Sequence, residues 1–205
     1  MHNKEHWENV YTTKATDTVS WFQEHAETSL KLIQSIHAEK NASIIDVGGG
    51  ASTLVDDLLS SGYSNISVLD LSGAALEAAK KRLGISAEKV TWVEADITDV
   101  NLPEYQFDLW HDRAVFHFLT QAEDRKAYIN AVLASVKPGG HIIISTFAED
   151  GPTQCSGLPV VQYSAESLHT EFGKHFLLQQ HFYESHNTPF GTVQKFVYCH
   201  LVKNI

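Results

Sequence analysis

Two cysteines in 205 residues, Cys155 and Cys199, are too few for a disulfide framework, and their separation matches no metal-ligand spacing. Basic residues are also scarce: 15 Lys and Arg stand against 25 Asp and Glu, a formal net charge of -10. Such a chain gains no counterion-release energy from a phosphate backbone, which argues against nucleic acid as a partner. No apolar run exceeds strand length, Ile142-Ile143-Ile144 being typical, and Met1-His2-Asn3-Lys4-Glu5-His6 contains no apolar signal region. The expectation is therefore no membrane association and a reducing, cytoplasmic setting. Repeats, low-complexity tracts and Pro/Gly/Ser linkers are absent too. With 43% hydrophobic and 20% charged residues, this predicts one folded domain over residues 1–205.

What is present alternates strand and helix signals, the mark of a parallel sheet covered on both faces. Ala42 to Val47 reads as a buried strand, followed by glycines and a helix from about Thr53 that stops at Gly62. Asn65 to Asp70 is a second strand. Ser72 is a suitable N-cap for the next helix, which runs to Gly84. Lys89 to Glu94 and Gln106 to His111 are further strands. Gln121 to Val136 reads as a helix and His141 to Phe147 as a fifth strand. A Gly- and Pro-rich loop (Ala148 to Tyr163) leads to a helix over Ala165 to Gly173. Phe176 to Ser185 and Val193 to Val202 then form an antiparallel pair. The first forty residues stand outside this alternation and place Trp7, Tyr11, Trp21 and Phe22 in helical segments.

The chemistry concentrates where strands end. Asp46-Val47-Gly48-Gly49-Gly50-Ala51-Ser52 lies between a strand and a helix, where glycines permit a sharp turn and close ligand approach to main-chain N–H groups. Asp70 ends the next strand, where a carboxylate can accept both hydroxyl protons of a ribose. Asp70 could equally serve as a favourable charge at a helix N-terminus. Asp96, in Glu94-Ala95-Asp96-Ile97, sits at the rim of the same crevice, within reach of an exocyclic amine. Together these strand ends describe one nucleoside pocket. The third glycine of a G-x-G-x-x-G dinucleotide fingerprint is missing, Thr53 standing in its place, and the antiparallel ending also departs from a dinucleotide fold.

Over roughly Ile44 to Val202 these motifs resemble the class I, Rossmann-like methyltransferase family. The glycine loop resembles its first motif, Asp70 its ribose-binding acid and Asp96 the acid beside adenine. Phe107 to Leu119 resembles its fourth-strand motif, Val136-Lys137-Pro138-Gly139-Gly140 the turn before its fifth strand, and the final strand pair its hairpin. The resemblance implies a seven-stranded, mostly parallel α/β sheet of order 3-2-1-4-5-7-6, strand 7 antiparallel, with helices on both faces. It implies S-adenosyl-L-methionine as cofactor, leaving S-adenosyl-L-homocysteine as product. It assigns cofactor binding to Asp46, Gly48, Gly49, Gly50, Asp70, Leu71, Ser72, Asp96, Ile97 and Asp112.

On the acceptor side, His111, Asp112, Arg113 and His117 are the candidates for catalysis, His117 as a general base. The stretch Asp112-Arg113-Ala114 is similar both to thiopurine-type thiol methyltransferases and to the Asp-Lys-Gly of some protein-lysine methyltransferases. Asp112 could instead pair with Arg113 or cap the next helix. His111, His117, His141 and His186 are expected near the sheet's C-terminal edge, in no pattern that suggests a metal. The Pro-Cys and Asn-Pro-Pro-Tyr motifs of DNA methyltransferases are missing, and Cys155 reads as a loop-packing residue. The reading is a methyltransferase for a small-molecule thiol, amine or hydroxyl. A protein-lysine enzyme and a non-catalytic cofactor-binding module are the alternatives. Residues 1–40, Trp21 and Phe22 among them, are expected to cover the site.

Overall fold

The computed structural model describes residues 3–204. The chain begins with helix α1 (Lys4–Thr13), a 3-10 turn (Thr16–Thr18) and α2 (Glu27–Ser35). Alternation then sets in: β1 (Ser43–Val47), α3 (Leu54–Ser60), β2 (Asn65–Asp70), α4 (Gly73–Leu83), β3 (Val90–Glu94), β4 (Phe107–Arg113), α5 (Ala122–Ser135) and β5 (Val136–Phe147). A two-stranded ribbon, β6 (Gln154–Cys155) and β7 (Leu158–Pro159), precedes α6 (Ala165–Phe172), β8 (Phe176–Asn187) and β9 (Val193–Lys203). The main sheet has the order β3-β2-β1-β4-β5-β9-β8. The pairs among β1 to β5 are parallel, and β9 runs antiparallel to both β5 and β8. Allowing for the ribbon, this is the expected order with its one reversed strand.

Strand periodicity divides the core between the two faces. Ile45, Val47 and Trp110 point into one apolar layer with Phe116, Tyr128 and Val132. Ile44 and Leu109 point into the other, with Leu54, Leu58 and Ile143. Ser72 caps α4 by accepting the Ala75 N–H at 3.2 Å, and Gly84, at φ +56°, ends it.

Two expectations are corrected. β5 starts at Val136 rather than His141, because the register jumps from Phe107↔Val136 to Leu109↔His141, and this irregularity accommodates Pro138-Gly139-Gly140. Trp21 and Phe22 lie outside any helix, in a turn closed by the Phe22 N–H on the Val19 carbonyl, while Trp7 and Tyr11 are helical as expected.

The first apolar layer contains one polar thread. The Trp110 indole N–H donates to Tyr128 Oη at 2.9 Å, and that hydroxyl donates to Asp112 Oδ2 at 2.6 Å, all three residues being fully buried. Tyr128→Phe leaves the indole N–H without an acceptor and the carboxylate short of a donor. It is expected to cost about 1–3 kcal/mol, read as a melting temperature ~3–10 °C lower. An unchanged thermal melt would show that the thread contributes nothing.

Candidate functional site

The C-terminal ends of β1 to β4 surround a cleft. Val47, Gly48, Leu69, Asp70, Leu71 and Ile97 form its floor, with Val115 and Phe118 from the segment after β4. Trp7 and Tyr11 of α1 and Trp21 beyond it form the roof, and Arg113 and Cys155 a wall. The roof aromatics pack on each other: Trp7 stacks on Tyr11 at 6.2 Å and meets Trp21 and Phe118 edge-on at 5.7 and 5.2 Å. A second recess shares Tyr11, Trp21, Val47, Gly48 and Arg113 with the first and runs to Ser29, Asp46 and His111.

The glycine loop is built for close approach. Gly48 sits at φ +71°, and a Cβ there would lie 2.0 Å from Val115 Cγ2. A Cβ on Gly50 would lie 2.6 Å from Asp70 Oδ2, which instead accepts the Gly50 N–H at 2.9 Å. Asp70 Oδ1 accepts the Ser72 N–H at 2.9 Å. Burial raises the Asp70 acid to about 6, assisted by the nearby Asp46 charge and opposed by the N–H donors of Ser72, Gly50 and Leu71. Each carboxylate oxygen keeps a lone pair for a further donor, and Asp70 borders the cleft.

The remaining expected residues separate into those at the cleft and those behind it. Leu71 and Ile97 line the cleft, while Ser72 is fully buried as the α4 cap. Asp96 turns back on Thr98, accepting its N–H at 2.9 Å and its hydroxyl at 2.7 Å, and is not among the lining residues. Asp112 is enclosed: it accepts the N–H groups of Val115 (2.8 Å) and Phe116 (3.1 Å) besides the Tyr128 hydroxyl, and burial raises it to about 6. It caps the turn after β4 and touches neither recess. His117 is also enclosed. Its Nδ1 accepts the Phe147 N–H at 3.3 Å, its ring packs against Phe147 and Phe118, and burial lowers it to about 3. A base needs access to the proton it removes, and His117 borders neither recess.

His111 and Arg113 do reach the site. Arg113 Nε donates to Tyr198 Oη at 3.0 Å and Nη1 to the Trp21 carbonyl at 3.1 Å, while its guanidinium lies 4.5 Å over the Phe196 ring. His186 touches the Ser20 carbonyl (2.9 Å) beneath the N-terminal segment. His141 pairs instead with His200 at 2.9 Å, in the half of β5 remote from the cleft. Cys155 lines the cleft with its thiol raised to about 11 by burial, a poor nucleophile. Among the described residues no group of three or more His, Cys, Asp or Glu is placed to hold a metal, and no helix is long and apolar enough to cross a membrane.

The expectation of a helical segment over residues 1–40 did not single out Ser29 on α2, and it did not give α1 its anchor. The Glu8 carboxylate accepts the N–H groups of Gly73 (2.6 Å) and Ala74 (3.2 Å), at the free start of α4. The signal was Ser72-Gly73-Ala74 opening a helix with no acid in its first turn, but the acid arrives from sixty-five residues away.

Comparison with known proteins accords with this geometry. A profile described as a methyltransferase domain matches residues 44–140. EEF1A lysine methyltransferase 2 of Danio rerio is 26% identical over 159 residues, covering 70% of this chain and 67% of that protein. Malonyl-[acyl-carrier protein] O-methyltransferase 1 of Ilyobacter polytropus is 29% identical over 136 residues, covering 65% of this chain; the match spans about half of that relative, 48%. Among solved structures, Burkholderia thailandensis 1,6-didemethyltoxoflavin-N1-methyltransferase, bound to 1,6-didemethyltoxoflavin and S-adenosylhomocysteine, superposes with a TM-score of 0.67 at 19% identity. That superposition covers 99% of this chain and 84% of the other. The domain match and the strand order together support a class I, S-adenosylmethionine-dependent methyltransferase.

Proposed function

We propose that this methyltransferase holds S-adenosylmethionine across the ends of β1 to β4 and passes its methyl group to a small molecule bound beneath the N-terminal aromatics. The observation that carries the acceptor class is the roof. Trp7, Val10 and Val19 are each under 9% exposed, and Cys155 across the cleft is 5% exposed. The strand ends therefore look into a covered aromatic chamber rather than an open groove that would seat a folded protein.

The residues fit the donor chemically. Asp70 accepts ribose hydroxyls on its remaining lone pairs, and Leu71 and Ile97 flank an adenine. Asp46, whose Oδ2 is buried without a partner among the described residues, suits the ammonium of the amino-acid end. Two carboxylates at neighbouring strand ends favour a cationic ligand over a pyrophosphate. The cofactor, when bound, supplies an activated methyl on a sulfonium. The protein's work is to orient the partners and to exclude water, which the apolar roof and Phe118 do. Arg113, at the junction of the two recesses, pairs with Glu184 at 3.9 Å and so brings a charge pair rather than a lone cation to the acceptor side. Asp112 acts through the shape of its turn, and His117 takes no part in this proposal.

The lysine-modifying relative favours a second reading, a protein-lysine acceptor. A labelled-methyl screen over thiols, amines, phenols, carboxylates and a cell lysate separates the two. Label on small molecules is expected. Label confined to proteins would overturn the small-molecule reading, and no transfer despite donor binding would favour a non-catalytic module.

Calorimetry with S-adenosylhomocysteine tests the donor site. Asp70→Ala is expected to weaken binding by about 1–3 kcal/mol; unchanged affinity would remove the ribose assignment. The pH dependence follows from Asp70 titrating at about 6 in the free protein. Hydroxyl donors favour the carboxylate, so the bound form titrates lower. Affinity is full above this value and is lost as pH falls through it, by about tenfold between pH 7 and 5. Asp70→Asn should flatten that dependence, and an equal slope in wild type and variant would assign it elsewhere.

A further inference from the structure

The second recess ends on a row of buried polar groups drawn from three separate elements. Asp46 on β1, His111 on β4 and Ser29 on α2 are each 2% exposed or less. His111 Nδ1 lies 2.7 Å from Asp46 Oδ1, and Nε2 lies 2.8 Å from Ser29 Oγ. An ionised carboxylate only accepts, so Nδ1 carries the proton, and the Nε2 of a neutral ring accepts from the Ser29 hydroxyl. At its other end Asp46 Oδ2 is buried and has no hydrogen-bond partner among the described residues. It rests against Gly49, where a Cβ would stand 2.2 Å away and fill the space beside it.

A buried carboxylate with no donor on either oxygen is free to turn away. His111 prevents this by fixing Oδ1, which leaves Oδ2 open as an acceptor. The register of the sheet makes this possible, because His111 sits directly across from Asp46 on neighbouring parallel strands.

We propose that His111, itself braced by Ser29, is a positioning residue that holds the Asp46 carboxylate oriented for the ammonium group at the amino-acid end of the methyl donor. The inference rests on the S-adenosylmethionine reading and deepens it. It makes α2, outside the alternating fold, a contributor to donor recognition, and it gives His111 a role that involves no proton transfer with the acceptor.

The test compares two ligands on the full-length chain. S-adenosylhomocysteine carries the amino-acid end; 5′-methylthioadenosine keeps the adenosine and thioether but lacks it. His111→Ala is expected to weaken S-adenosylhomocysteine roughly ten- to a hundredfold while 5′-methylthioadenosine stays within about twofold. His111→Asn, whose amide can donate to Asp46 and accept from Ser29, should recover most of the loss. Ser29→Ala, the milder change, should show the same selectivity at ~threefold or more and serves if His111→Ala does not fold. Equal losses for both ligands would reveal a merely structural role, and undiminished S-adenosylhomocysteine binding would remove any role; either overturns the proposal while the cofactor reading stands. A wild-type chain that binds neither ligand overturns the cofactor reading, and the positioning role with it.

Discussion

At the end of β4 the buried Asp112 carboxylate collects the N–H groups of Val115 and Phe116 and the hydroxyl of Tyr128, and so turns the chain sharply back along the sheet edge. The turn holds Ala114 at φ +72°, a conformation that a non-glycine residue keeps only where its surroundings impose it. It also sets Val115 against Gly48, so that the turns after β1 and β4 interlock with no room for a methyl between them. Both recesses are spaces left by that interlock. Three donors do not fully repay the burial of the charge, which is why Asp112 titrates at about 6.

Asp70 repeats the pattern one strand beyond β1, and the two acids have the same consequence for stability. Each folded-state value lies above that of an unfolded aspartate, so the native protein binds more protons between about pH 4 and 6, and their stabilising effect is lost as pH rises through that window. His117, lowered to about 3, works in the opposite sense: the unfolded chain binds its proton first, and stability is lost as pH falls below about 6.5. Asp112 and His117 serve the fold from within, whereas Asp70 borders a cleft that apolar residues could have filled. Burying a carboxylate there is disadvantageous for folding alone, and a ligand that donates to it offsets the cost.

The alternating core was legible because it depends on local signals. Strand-length apolar runs, Ser72 before a helix and Gly84 after it each determine their element within a few residues, and β2 is found at the expected bounds. The acids at strand ends were legible as chemistry, since a parallel sheet brings successive C-terminal ends to one edge. Partnerships were not. Nothing in the spacing of Ser29, Asp46 and His111 says that they meet, because one comes from a helix outside the alternation and the register of β1 on β4 is a tertiary property. Asp112, for which capping was the alternative reading, and His117 lie behind the cleft for a related reason. Sequence places them next to Arg113, which reaches the cleft, but a tight turn sends neighbouring side chains in different directions, here into the core.

The N-terminal segment shows how unevenly the site is held together. On its outer side, the bond between Lys4 and Glu94 joins side chains that are about half exposed. An exposed pair of this kind contributes on the order of 0–1 kcal/mol. On its inner side, Trp7 and Val10 are buried against Trp21, Phe118 and Leu71, and Ser29 is enclosed with His111. The aromatic roof therefore owes its position to apolar contact with the cleft and to the Glu8 cap on α4 more than to its surface ion pairs. Parting the roof exposes apolar surface and frees helix N–H groups but breaks no strand pairing, so this segment opens at lower cost than the sheet beneath it. Anchoring Asp46 through α2 rather than α1 ties the proposed donor contact to the more deeply buried of the two helices, so that Trp7 and Tyr11 are not part of what holds the carboxylate.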